Sequence, residues 1–132
     1  TIEARAKAEL AEVMRDAAVG RSGADAVRSI AAEYRRWAKA HPGRYAATLA
    51  APDPADADAL AASVRAVDVL RDALAAYGLE GDDEIDAIRT LRSGLHGFVA
   101  LEAAGGFGLP LDVDRSFERL VDALVATLPS GR

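Results

Sequence analysis

The stretch "LRSGLHGFVALEAAGGFGL", Leu91 to Leu109, sets a histidine between glycines and a glutamate among apolar residues. Residues three and four apart share a helix face, so Leu91, Leu95, Phe98 and Glu102 form one stripe and Ser93, Gly97, Ala100 and Ala104 a second, uniformly small one. A glycine in mid-helix costs about 1 kcal/mol relative to alanine. Gly94 and Gly97 therefore need a compensating gain, and close approach of a second helix supplies one. Glu102 continues an apolar stripe, where a carboxylate needs either a basic partner, such as Arg92 or Arg119, or a ligand in a cavity. His96 falls beside the small stripe with Arg92 and Val99 and reads as a hydrogen-bonded packing residue.

Helical spacing extends outward from this segment in both directions, and alternating strand patterns are almost absent, so the chain is expected to be all-α. A first helix is expected over Ile2 to Ala18, with Leu10, Val13, Met14 and Ala17 on one side, ending at "GRSG". A second starts near Gly23, carries Val27, Ile30, Tyr34, Trp37 and Ala38, and stops at His41-Pro42-Gly43. A short third helix is read from Gly43 to about Ala51, and "PDPADAD" then supplies a turn and an N-cap. The fourth, about Ala55 to Tyr77, presents Leu60, Val64, Val67, Leu70 or Arg71, Leu74 and Tyr77, with Gly78 closing it. Asp82, Asp83 and Glu84 open the fifth, which runs to about Ala104, and Asp112 or Asp114 caps a sixth through Phe117, Leu120, Val121, Leu124, Val125 and Leu128.

One domain fits 132 residues. The chain has no cysteine, which excludes disulfides, thiolate metal sites and cysteine nucleophiles. Sixteen basic and 21 acidic residues give a net charge of -5 without a basic stripe, so this segment alone is not expected to hold nucleic acid. No apolar run reaches the roughly 20 residues of a membrane span, and a soluble, cytoplasmic protein is expected. Thr1 lies inside an apparent helix, so a preceding segment is expected.

The fifth and sixth helices together carry more apolar surface than a small core needs, which predicts a homodimer built on a four-helix bundle. Its interface residues are expected to be Ser93, Gly97, Ala100, Ala104, Phe117, Leu120, Val121, Leu124 and Leu128. An enzyme is disfavoured. Asp53, Asp56 and Asp58 lack the glycine and terminal glutamate of a calcium loop, "GGFG" follows a helix and not a strand, and His41 and His96 lie in distant segments. No metal site and no cofactor is expected, and Arg35, Arg36 and Lys39 read as a solvated face.

"LRSGLHGFVALEAAGGF" resembles the signature helix of the C-terminal domains of TetR-type transcriptional regulators, most of all the subgroup named for a Trp/His/Gly triplet, here Leu95-His96-Gly97. "YRRWAKAHPGRYAATL", Tyr34 to Leu49, is similar to another segment of that subgroup. The resemblance implies a six-helix regulatory domain whose last two long helices dimerise, whose other helices enclose a small-molecule effector pocket, and whose DNA-reading helix-turn-helix lies N-terminal to this segment. It also implies that the first helix acts as a lever, with Leu10, Val13 and Met14 touching the pocket region. Tyr34, Trp37, Tyr45, Val64, Val67, Leu91, Phe98 and Glu102 are the pocket candidates, because aromatics with polar tips and one carboxylate suit a mostly apolar ligand. A stand-alone helical adaptor without a small-molecule ligand is the alternative.

Overall fold

A computed structural model describes residues 1–129 and contains six α-helices: α1 (Ile2–Ala18), α2 (Gly23–Ala40), α3 (Pro42–Ala47), α4 (Ala57–Leu74), α5 (Gly81–Ala103) and α6 (Val113–Ala126). The described residues include no strand, and no helix among them is long and apolar enough to cross a membrane.

Local chemistry explains most boundaries. Thr1 Oγ1 accepts from the Ala4 N–H at the start of α1. Asp56 does the same for Ala59 at the start of α4, and Asp112 for Asp114 at the start of α6. The third helix is shorter than its sequence suggests. Thr48 Oγ1 donates to the Tyr45 carbonyl at 2.6 Å, occupying an acceptor at the helix end, and α3 stops at Ala47. α4 gives way at Leu74 to a 3₁₀ turn over Ala75–Tyr77, and Gly78 closes that turn at φ +67°, a left-handed conformation open to glycine without strain.

Val27, Ile30, Tyr34, Trp37 and Ala38 of α2 are all buried, as their spacing predicts, and face Leu91, Leu95 and Phe98 of α5 across the core. The expected face of α4 needs correction. Leu60 and Val64 are exposed, whereas Ala59 and Ala62 are completely buried. Small residues are prominent where α1 packs on α4: Ala4, Ala6 and Ala11 of α1 are buried along with these α4 alanines, and short side chains let two helices approach closely. The sixth helix also departs from expectation. Phe117, Val121 and Leu124, with Leu128 beyond its end, are buried within the chain's own core, and Leu120 is half-buried. Most of the apolar surface of α6 is therefore covered without a second copy.

The two mid-helix glycines have different surroundings. A Cβ on Gly94 would meet the Leu124 methyls at 3.0 Å, so this glycine lets α6 pack against α5. A Cβ on Gly97 would meet nothing within 4 Å. Nothing among the described residues requires Gly97 to be small.

Candidate functional site

A cavity of about 390 Å³ lies among α1, α2, α4, α5 and the segment after α3, within the usual range of small-molecule sites. α1 contributes Lys7, Leu10 and Met14, and α2 contributes Tyr34. Thr48 to Pro52 form one edge, and α4 adds Ser63, Ala66, Val67, Leu70 and Arg71. From α5 come Ile85, Ile88, Arg89, Leu91, Arg92 and Leu95.

The polar part of this lining is one-sided. It holds Lys7, Arg71, Arg89 and Arg92 and no carboxylate, in a chain whose net charge is -5. Two of the four cations are neutralised locally. Lys7 is only 6% exposed; its amine donates to the Ala50 carbonyl at 2.7 Å and pairs with Glu3 at 2.8 Å. Arg71 pairs with Glu84 at 2.9 Å. Neither Arg89 nor Arg92 has a carboxylate oxygen within 4.0 Å among the described residues.

Tyr34 carries a hydrogen-bonded chain away from the cavity. Its hydroxyl lies 2.5 Å from that of Tyr45, which lies 2.7 Å from Nδ1 of His96. The two tyrosine rings meet edge to face. Burial, reinforced by the bond to Tyr45, pushes the Tyr34 hydroxyl far above its ordinary range, and burial also raises Tyr45. Both hydroxyls therefore stay protonated at any physiological pH. His96 thus has the packing role its position suggested, with Tyr45 as its partner.

Three of the eight pocket candidates, Tyr34, Val67 and Leu91, line this cavity. Tyr45 stands behind Tyr34. Val64 is 52% exposed beyond the lining, and Trp37 packs against His41 while donating its indole N–H to Glu9 at 3.1 Å. Phe98 and Glu102 belong to a separate cluster. Phe98 packs against Phe107 and Phe117, and Arg35 sits over the Phe98 and Phe117 rings. The Arg35 guanidinium donates to both Glu102 oxygens, at 3.0 and 2.7 Å, and to Asp114 at 2.8 Å. The partner of Glu102 is thus Arg35, joined at 3.5 Å by Lys39, instead of Arg92 or Arg119. Arg35 is largely buried, so it leaves the expected solvated face. These bonds hold the Glu102 carboxyl below the usual carboxylate range, against the opposing effect of burial.

Leu10 and Met14 do border the cavity, while Val13 is not in its lining. Lys7 shares their stripe, three residues before Leu10 and seven before Met14, and that spacing was the signal available for it. Ile85, Ile88, Arg89 and Arg92 follow the same rule along α5. On the opposite side of α5, Ser93, Ala100 and Ala104 are exposed, Gly97 is half-buried, and Leu101 beside them is 53% exposed.

Residues 27–124 match the family model described as tetracyclin repressor-like, C-terminal domain. The chain is 38% identical over 109 residues to Rv0681 of Mycobacterium tuberculosis, described as an uncharacterized HTH-type transcriptional regulator. That alignment covers 81% of this chain and 49% of the relative, so the chain spans about half the length of the curated relative it matches. Its fold is similar to the crystal structure of a proposed regulatory protein, SCO4313, with a TM-score of 0.75 and 24% identity over 95% of this chain and 70% of the other.

Proposed function

Because the chain belongs to the TetR-type transcriptional regulators, as a C-terminal domain of the tetracycline-repressor kind, we propose that it is the domain in which such a regulator senses a small, mostly apolar effector and dimerises. The observation that carries the reading is the cavity of about 390 Å³, walled by α1, α2, α4 and α5. A guest there touches Leu10 and Met14 on α1 and Leu91 and Leu95 on α5 together, so it changes the spacing of helices that are otherwise held by their own packing. DNA contact belongs to a helix-turn-helix portion of the whole regulator. Two copies of that portion must match half-sites about 34 Å apart, and a change in α1 spoils or restores the match. A coupling of about 1–3 kcal/mol between effector and operator is enough, and no bond need be made or broken.

The dimer surface in this reading is the outer side of α5. Gly97 with open space around it, the exposed Ser93, Ala100 and Ala104, and the half-exposed Leu101 support it. The inward residues Phe117, Val121, Leu124 and Leu128 support that surface from beneath.

The test uses Nile red, a neutral apolar dye, and an Ala66→Trp variant whose indole fills the cavity from α4. Wild type is expected to bind one dye per chain and to sediment at twice the monomer mass. The variant is expected to keep that mass and its melting temperature while losing the dye. Equal dye binding by both proteins would sink the cavity reading.

A further inference from the structure

We infer that the effector is an amphipathic anion, an apolar body ending in a carboxylate or phosphate head, with the head held by Arg89 and Arg92 at the rim of the cavity. The inference rests on the effector-domain reading above and gives its ligand a chemical class. Four observations support it. The lining contains four cationic side chains and no acidic one, although the chain as a whole is acidic. Lys7 and Arg71 have carboxylate partners of their own, in Glu3 and Glu84, and are not free to take another. Arg89 and Arg92 are exposed, border the cavity three residues apart on α5, and meet no carboxylate among the described residues. Most of the remaining wall is apolar, with Leu10, Met14, Leu70, Ile88, Leu91 and Leu95 accepting hydrocarbon, and its other polar members, Tyr34, Thr48 and Ser63, are uncharged.

A cationic or neutral guest would leave this arrangement unused. A cation would sit among like charges, and a neutral molecule would gain only the apolar contacts. An anion gains both, because arginine presents planar paired donors that fit a carboxylate or phosphate and remains charged at all working pH values. Two arginines one helical turn apart can converge on one head group. The order along the cavity, from aliphatic wall to exposed arginines, sets the guest's direction with its tail inward and its head toward solvent.

Displacement of Nile red by four ten-carbon probes tests this: decanoate, decyl phosphate, 1-decanol and decylamine, each below its micellar concentration. Decanoate or decyl phosphate is expected to displace the dye at least tenfold more tightly than decanol, with decylamine weakest, and the better of the two anions identifies the head. An Arg89→Gln/Arg92→Gln double variant is expected to lose that tenfold preference while binding decanol unchanged. Arg89→Glu/Arg92→Glu is expected to reverse the order in favour of decylamine. Decanol binding as tightly as both anions, with the double variant indifferent, overturns the anion and leaves the cavity reading standing. Failure of all four probes and of Nile red itself overturns both.

Discussion

The two halves of α5 handle charge and space in opposite ways. Toward its C-terminal end, Phe98 is packed among Phe107 and Phe117, and Glu102 meets Arg35 through two hydrogen bonds. Toward its N-terminal end, Ile88 and Leu91 front open volume, and Arg89 and Arg92 meet no carboxylate among the described residues. One half is satisfied within the chain, and the other is where the proposed guest would sit. A single helix can thus anchor the fold with one half and recognise a guest with the other, and mutations in the two halves should separate stability from binding.

The largest expected effect is at Phe98. Truncation to alanine removes a buried ring from a three-ring cluster and should destabilise the fold by about 4 kcal/mol, measured by urea unfolding. Arg35→Ala comes next, at about 3 kcal/mol, because it removes both hydrogen bonds that the largely buried Glu102 receives from Arg35 and leaves only Lys39, at 3.5 Å, beside it. A thermal melt should fall by roughly 10 °C.

The same pair sets an acid dependence. Glu102 is held below its ordinary range, chiefly by hydrogen bonds from Arg35, so its contribution is fully present above the ordinary carboxylate range and is lost as pH falls through the lowered value. Arg35→Met should flatten that part of the stability profile, and an unchanged acid slope would break the assignment.

Gly97→Ala gives a smaller effect of opposite sign. The added methyl meets nothing within 4 Å among the described residues, so the isolated subunit should gain about 0.5–1 kcal/mol. Dimer dissociation measured by sedimentation should become easier if this face meets a twin. Smallest of all is Arg92→Gln, which should leave the unfolding midpoint within about 0.5 kcal/mol of wild type. A large loss there would erase the contrast between the two halves.

Much of this contrast was legible in the sequence, and the unread parts share a cause. Local rules placed six helices and several of their ends, because Asp56, Asp112 and Gly78 act within a few residues of themselves. The buried faces of α2 and α5 followed from spacing. The face of α4 did not, since hydrophobicity ranks Leu60 and Val64 above Ala59 and Ala62, while a close helix crossing favours the smallest side chains. The partner of Glu102 lies 67 residues away, and no local pattern distinguishes Arg35 from Arg92 or Arg119. Trp37 and Phe98 read as lining because aromatics suit a mostly apolar ligand site, yet aromatics fill cores as readily as they border cavities.

Arg35 also bears on motion. Its guanidinium fastens α2 to α5 through Glu102 and to the start of α6 through Asp114, so these three helices form a riveted block. α1 is tied differently: it packs on α4 more extensively than any other two helices pack, and it is joined to its other neighbours by Ser29 donating to the Ala17 carbonyl, Lys7 to the Ala50 carbonyl and Trp37 to Glu9. In the proposed reading, a guest that swells the cavity strains those few side-chain ties on α1 while the block acts as an anvil, so the pull reaches α1 first.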